Sequence, residues 1–163
     1  MPADARFADA DPSPLALMAE DEPDLRILSA LLQDAVLPAS EMAHDPRGRS
    51  LALLLNRFRW EDAEQAAAEG RDYERVRSVL LIRDVMRVLS DGISRDRDTV
   101  LELLALRWQA GADGTGRLML EFAGDGTLAV EVECINVDLR DVTRPYRAVS
   151  GKAPSHPDAA GTA

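Results

Sequence analysis

Residues 118–134, LMLEFAGDGTLAVEVEC, carry the clearest strand pattern in this chain of 163 residues. Leu118, Leu120 and Phe122 alternate with Met119 and Glu121, and alternation of this kind places one set of apolar side chains on one face of a strand. After the turn, apolar and acidic residues alternate again, with Leu128, Val130, Val132 and Cys134 set against Glu131 and Glu133. The turn GDGT accepts a positive φ at Asp125–Gly126. The stretch therefore predicts a β-hairpin with one buried face, which includes Cys134, and one acidic face.

Other strand patterns surround this hairpin. They occupy residues 15–19, 39–44, 49–61, 75–93, 99–109 and 136–146. Residues 75–93 predict two strands or one bent strand with a break near Asp84, and residues 61–74 predict a loop with one helical turn. Residues 99–109 fit a helix or a strand, and the neighbouring strands favour a buried strand. A helix followed by sequential strands predicts an α+β fold. We expect an antiparallel β meander, forming a curled sheet or small barrel that is PH-like, with one N-terminal amphipathic helix packed on it.

That helix is predicted within residues 20–36. Asp21 can cap it, Pro23 suits the first turn, and Asp24 stands where a capping box places its acid. The apolar residues Leu25, Leu28, Leu32 and Ala35 recur at helical spacing. Pro38 is expected to stop the helix.

Composition indicates one domain, argues against two kinds of binding partner and predicts a cellular location. Residues 15–147 predict a single α+β domain, flanked by disordered segments at residues 1–14 and 148–163, which are rich in Ala, Asp, Pro and Gly. The net charge of −10 argues against binding to nucleic acid or to an anionic membrane. One cysteine and no apolar run of membrane length predict a cytoplasmic protein.

Candidate catalytic residues are few. The two histidines are His44, beside a predicted turn, and His156, in the predicted tail, so a nucleophile–base pair would have to use His44. The chain lacks the Cys and His residues of a zinc site, and GADGTG lacks the Lys-Ser/Thr ending of a phosphate loop. We predict no catalytic residue, no metal and no cofactor.

The segment LALLLNRFRWE, residues 51–61, is where a core strand could also serve a site. Arg57 and Arg59 would share one face, roughly 6–7 Å apart, and Arg75, Arg77 or Arg83 of a paired strand could join them. Such a cluster suits a carboxylate or a phosphate. The alternatives are a charged solvent face, or neutralisation by Glu61, Glu74 or Glu131.

The opposite face of the same strand would carry Asn56, Phe58 and Trp60. A buried amide must find hydrogen-bond partners, so Asn56 either satisfies an irregular backbone or points into a pocket. Phe58 and Trp60 belong to the core, or else form an exposed apolar patch for a partner.

Several segments together resemble a known family. In chain order they are LRILSALLQDAV, ALLLNRFRWE, ERVRSVLLI with the following GISRDRD, and VEVECI. They resemble a bacterial domain-of-unknown-function family, the one catalogued as twenty-nine forty-eight, over about residues 15–147. The resemblance implies no particular activity, ligand or catalytic residue, and it weakens after Pro145.

Two hypotheses about function follow. The first is a non-catalytic protein-interaction or self-associating module, with Arg57, Phe58, Arg59 and Trp60 at the contact surface. The second is a small-molecule binder or enzyme whose anionic ligand is held by Arg57, Arg59 and Arg77, with Asn56 orienting it. A pocket lined by these polar groups would favour the second, and a flat apolar patch with a polar rim would favour the first.

Overall fold

A computed structural model describes residues 14–94, 96–148 and 153–154. The described residues form two α-helices and an 11-stranded antiparallel sheet, which confirms the predicted α+β class. The helices are α1 (Glu22–Leu32) and α2 (Trp60–Glu69). The strands are β1 (Ala16–Ala19), β2 (Ala35–Pro38), β3 (Met42–Asp45), β4 (Ser50–Phe58), β5 (Glu74–Ile82), β6 (Val85–Asp91), β7 (Val100–Ala110), β8 (Gly116–Phe122), β9 (Thr127–Val132), β10 (Val137–Asp141) and β11 (Tyr146–Arg147).

The sheet is open. Its strand order is β1-β10-β5-β4-β2-β7-β8-β9-β6, with β11 paired to β5 and β3 paired to β4. The predicted curled sheet or small barrel is therefore wrong, because β1 and β6 are edge strands that do not pair with each other. The predicted meander holds only in part: β4–β5 and β7–β8–β9 are sequential, whereas β2 lies between β4 and β7. The PH-like arrangement was one form of that curled sheet or barrel, and it is wrong for the same reason.

The core lies between α1 and one face of the sheet. Leu25, Leu28 and Leu32 of α1 join a cluster with apolar residues from both halves of the sheet. The backbone N–H of Leu106 in β7 donates to the Ser29 hydroxyl of α1 over 3.0 Å, which anchors the helix on this face. We call this side of the sheet the inner face.

The start of α1 was predicted correctly and its end was not. Asp21 is the N-cap, and its Oδ1 accepts from the Asp24 N–H at 2.9 Å. The helix ends at Leu32 rather than at Pro38, because the backbone turns at Asp34 with a φ of 64°. Ala35, which was expected on the helix stripe, is instead a buried residue of β2.

Helix α2 was not predicted. Trp60 was expected in a strand ending at Glu61, but β4 ends at Phe58 and Trp60 begins the helix. The predicted loop is thus a ten-residue helix with Glu61 and Asp62 in its first turn, where acidic residues complement the helix dipole. Gly70 closes it with a φ of 67°, a conformation that glycine adopts without strain.

The remaining strand predictions are mostly confirmed. Residues 75–93 form β5 and β6, which break at Asp84 with a φ of 56°, and residues 99–109 form β7. The hairpin is β8–β9, with a φ of 67° at Asp125 in its turn. The predicted place of Cys134 on the buried face of this hairpin is wrong, because β9 ends at Val132 and the thiol is exposed beyond it. Residues 39–41 form a 3-10 turn before β3.

Two of the predicted segments lie largely outside the described residues. Residues 1–13, 149–152 and 155–163, which were expected to be disordered, are not described, and the domain limits stay a prediction. Within the described part of the chain, neither helix is long and apolar enough to cross a membrane.

Candidate functional site

The predicted site residues divide between the two faces of β4. Arg57 follows Leu51, Leu53 and Leu55 on the inner face, and all four are buried. Asn56 lies on the opposite side of the sheet, directly across from Arg77 of β5. The structure therefore does not bring Arg57 and Arg77 into one cluster.

Arg57 is the centre of a buried ion-pair network. Its Nη1 and Nη2 donate to the two carboxylate oxygens of Glu61 at 2.9 and 2.7 Å. Nη2 also donates to both oxygens of Asp141 at 3.0 and 3.1 Å. Nε donates to the Ser78 hydroxyl at 3.1 Å, and that hydroxyl donates to Asp141 at 2.7 Å. The Arg57 side chain is 0% exposed, so its charge is satisfied entirely inside the protein.

This network ties distant parts of the chain together. Arg57 is in β4, Ser78 in β5, Asp141 in β10 and Glu61 in α2. Asp141 also accepts from the Leu15 N–H at 2.9 Å, next to β1. Burial alone would lower the pKa of Arg57, but the hydrogen bond and charge of Glu61, with those of Asp141, raise it above its ordinary value. Arg57 is therefore a permanent cation that holds these elements together.

Arg59 is also neutralised within the chain. Its Nη1 lies 2.6 Å from a carboxylate oxygen of Glu74 and 3.5 Å from one of Asp62, and its side chain is 11% exposed. Glu61 and Glu74 are thus two of the three acidic partners that the sequence suggested. The third, Glu131, pairs with Arg87 and Arg117 instead.

Phe58 and Trp60 support this end of the sheet. Phe58 is 0% exposed, and the Trp60 ring meets it edge-on with ring centroids 4.6 Å apart. Tyr73 packs against the same phenylalanine at 5.6 Å. The Trp60 indole N–H donates to the Gln33 carbonyl at 2.9 Å, which links α2 to the end of α1. The sequence allowed either a core position or an exposed apolar patch for Phe58 and Trp60. In the structure, Phe58 belongs to the core.

The side of β1, β10, β5 and β4 that faces away from α1 has a different character, and we call it the outer face. Its centre is Leu54, Val79 and Leu81, which lie on adjacent strands and are only partly buried. Met18 of β1 adds a side chain that is 53% exposed. An apolar centre left open on a sheet face is a feature that proteins use for contact.

Arginines border this apolar centre. Arg75 and Arg77 stand on β5 before Val79, and Arg140 of β10 lies directly across from Val79. Among the carboxylates that the structure describes, none forms an ion pair with these three, and the nearby Asp138 binds Arg83 at 2.6 Å. The outer face is therefore an apolar centre with a cationic rim.

Asn56 belongs to that rim. Arg75 Nη1 donates to the Asn56 carbonyl at 3.3 Å and to its side-chain oxygen at 3.4 Å. Burial raises the pKa of Tyr146, against the opposing charges of Arg75 and Arg77, so the phenol stays neutral near pH 7. Asn56 thus orients a guanidinium at the edge of the apolar centre.

The residues considered for catalysis do not assemble. His44 is exposed on β3, and His156 lies outside the described residues. Partial desolvation of the exposed Cys134 thiol, with the hydrogen bond and charge of Asp84, raises the pKa of Cys134, which disfavours the reactive thiolate. Within the part of the chain that the structure describes, no three His, Cys, Asp or Glu side chains are placed to hold a metal.

Two open clefts lie away from the predicted site residues. One of about 520 Å³ is lined by Met18, Glu20, Arg83, Cys134, Ile135 and Asn136. The other, of about 360 Å³, lies between β6 and the β7–β8 turn and includes Met86 and Arg117. Neither cleft is lined by any of Asn56, Arg57, Phe58, Arg59, Trp60 and Arg77.

Sequence reasoning missed the more buried of the two acids that bind Arg57, and the third arginine of the rim. Asp141 and Arg140 are 84 and 83 positions from Arg57 along the chain, and no local pattern connects them. The spacing of Arg77, Val79 and Leu81 puts these three side chains on one face of a strand, but the sequence does not show which side of the sheet is covered.

Comparison with known proteins and protein families identifies the family of the chain. No curated protein and no solved structure matches the chain significantly. The family model described as "Protein of unknown function (DUF2948)" matches residues 15–156, which is most of the chain, and the chain therefore belongs to this family.

Proposed function

We propose that this protein is a non-catalytic cytoplasmic interaction module that binds a partner protein on its outer face. The observation that carries the proposal is the partly exposed apolar centre of Leu54, Val79 and Leu81, bordered by arginines without carboxylate partners among the described residues. Protein interfaces combine an apolar centre with a polar rim, and arginine is enriched in them.

The residues of the LALLLNRFRWE segment support this surface from behind. Arg57 binds side chains of β5, β10 and α2 at once, so it fixes the strands that carry the outer face. Phe58 and Trp60 hold α2 against the end of the sheet. We therefore assign Arg57, Phe58, Arg59 and Trp60 a positioning role, and Asn56 and Arg77 a place in the contact surface.

The contacts of the arginines favour this module over a small anionic ligand. Such a ligand at Arg57 and Arg59 would have to displace Glu61, Asp141 and Glu74, whose oxygens already occupy the guanidinium donors. It would also have to reach a side chain with no exposed surface.

A different protein is a better partner than a second copy of this chain. Two copies that met through the same face would bring Arg75, Arg77 and Arg140 toward their own duplicates, because a two-fold interface pairs the same patch with itself. The face offers Asp138 as a matching acid, and Arg83 already holds it. Like charges brought together across an interface oppose association.

The proposal can be tested by native mass spectrometry of the protein purified from its own host. We expect the 17.8 kDa chain to carry a second protein in fixed ratio, and Leu81→Asp on the outer face to remove that protein. Leu89→Asp is the matched control, since Leu89 is an exposed leucine on β6, in the other half of the sheet. Leu81→Ser is a milder version in case the aspartate perturbs folding, which circular dichroism would detect.

Retention of the second protein by folded Leu81→Asp would refute the proposal. So would a wild-type chain whose mass is a simple multiple of its own, because the partner would then be a second copy. A mass excess of a few hundred daltons would instead support the small-ligand hypothesis.

A further inference from the structure

We infer that the outer face binds an extended acidic segment of the partner, with carboxylates on Arg75 and Arg77 and apolar side chains on Val79 and Leu81. This inference rests on the proposed function and names the chemistry of the partner. It starts from a contrast in how the arginines of this chain are neutralised.

The arginines within the other strands, and several next to them, are paired. Ion pairs with described carboxylates are made by Arg49, Arg57, Arg59, Arg83, Arg87, Arg107, Arg117 and Arg147. The chain has 29 acidic residues against 19 basic ones, so carboxylates are abundant. Three neighbouring arginines without such a partner, all on one face, are a local exception in an acidic protein. A carboxylate from another molecule would neutralise these arginines.

The order of residues along β5 gives the shape of the ligand. Arg75, Arg77, Val79 and Leu81 stand at alternate positions on the outer face, with about 7 Å between successive side chains. An extended peptide lying along this strand presents its own alternate side chains at the same spacing. The complementary segment therefore carries two acidic residues and then two apolar ones, each separated by one residue.

The neighbouring strands widen this surface. Arg140 lies across from Val79 on one side, and Leu54 lies across from Val79 on the other. Asn56 holds one nitrogen of Arg75 through its two oxygens, which leaves the other guanidinium donors for a ligand. Guanidinium groups bind carboxylates through paired hydrogen bonds, and such bonds are stronger than neutral ones.

The negative charge of the whole chain does not prevent this contact. At physiological ionic strength, charges more than about 8 Å apart are largely screened, so the rim dominates at the outer face. A nucleic acid is a poorer match, because three arginines around an apolar centre do not form the extended cationic surface that phosphate chains need.

The test uses a synthetic peptide with Glu at positions 1 and 3 and Leu at positions 5 and 7, separated by Ser. In a ¹H–¹⁵N NMR titration of the full chain, we expect amide shifts confined to β5, β10 and β4. Arg77→Glu should weaken binding at least tenfold. Arg117→Glu should change it less than twofold, and this control alters the net charge equally on the outer side of the other half of the sheet.

A charge swap separates a direct contact from a loss of structure. A peptide with Lys at position 3 should bind Arg77→Glu better than it binds the wild type. Equal binding by Arg77→Glu and Arg117→Glu, shifts that map elsewhere, or no binding of the Glu/Leu peptide at millimolar concentration would overturn the inference. Single-stranded DNA that binds in place of the peptide and is lost in Arg77→Glu would overturn it as well.

The two proposals can fail separately. If Leu81→Asp loses the native partner while Arg77→Glu retains it, the interaction module stands and the acidic segment is refuted. If Leu81→Asp retains the native partner, the proposed function itself is refuted.

Discussion

The two halves of one sheet treat their outward sides differently. On the half formed by β7, β8, β9 and β6, Glu131 binds both Arg87 and Arg117 at 2.9 Å, and Arg107 binds Glu121 at 2.7 Å. On the outer face, formed by β1, β10, β5 and β4, the corresponding arginines form no ion pair with a described carboxylate. The arginines of the first surface are neutralised by carboxylates of the same chain. The arginines of the outer face can still bind a carboxylate from another molecule.

The difference shows that arginine has separate uses within one fold. Exposed pairs such as Arg87–Glu131 add little stability, but they leave no cation for an outside ligand. Arg57, buried on the inner face, is a third case, because its partners are required simply to keep it there. Substitutions can therefore test separately what a paired arginine, a buried arginine and an arginine of the outer face each contribute.

The largest expected effect comes from the buried arginine. Arg57→Met should lower the free energy of unfolding by about 3–5 kcal/mol, because it leaves Asp141 and Glu61 without their cation. Arg77→Met, on the exposed face of the neighbouring strand, should change it by less than about 0.5 kcal/mol. Urea unfolding of both variants measures the contrast, and equal losses would contradict it.

The two acids of the network should differ in the same assay. Asp141 is 5% exposed and also accepts from Ser78 and the Leu15 N–H, whereas Glu61 is 30% exposed. Charged hydrogen bonds contribute about 1.5–3 kcal/mol each, so Asp141→Asn should lower stability by about that amount. Glu61→Gln should lower it by about 1 kcal/mol or less, because Glu61 is partly exposed and solvent screens its charge. A larger loss for Glu61→Gln would show that α2 carries the network.

Features set by local chemistry were predictable from the sequence. The β8–β9 hairpin follows from alternation and a turn that tolerates positive φ, and the start of α1 follows from the Asp21 cap. Helix α2 had usable signals in its acidic first turn, its alanines and Gly70. The aromatic Trp60 instead favoured a longer strand, because aromatic residues are frequent in strands.

Features set by distant contacts were not predictable in this way. Both faces of LALLLN are apolar, so alternation places Arg57 and Asn56 on opposite sides without saying which side is covered. That choice depends on α1 packing over Leu53 and Leu55, and on Asp141 arriving through β10. The candidate site was thus located on the correct strand, but its buried and exposed arginines could be told apart only in three dimensions.

Charge reversal should have different effects on the melting temperature at the two outward surfaces. Arg77→Glu introduces a carboxylate beside Arg75 and Arg140, so the melting temperature should stay unchanged or rise slightly. Arg117→Glu places a second carboxylate directly opposite Glu131 and should lower it. Differential scanning calorimetry at low and high salt checks both, since the difference should shrink when salt screens the charges. A lower melting temperature for Arg77→Glu would indicate an acid near the rim that pairs with it.

The smallest expected effect is on the pKa of Glu131, which reports how tightly Arg87 and Arg117 bind that carboxylate. Hydrogen bonds from Arg87, then from Arg117, hold the pKa of Glu131 below its ordinary value of about 4.3. A carboxyl whose pKa is depressed on folding contributes stability above its unfolded pKa, and this contribution is lost as the pH falls through the folded pKa. The stability difference between wild type and Glu131→Gln should therefore be constant near neutral pH and should shrink only in acid. Arg87→Ala should raise the pKa of Glu131 more than Arg117→Ala does, as measured by the pH dependence of its side-chain ¹³C shift. If neither substitution moved that pKa, the Glu131 pairs would be too loose to neutralise this surface, and the contrast with the outer face would rest on the Arg107–Glu121 pair.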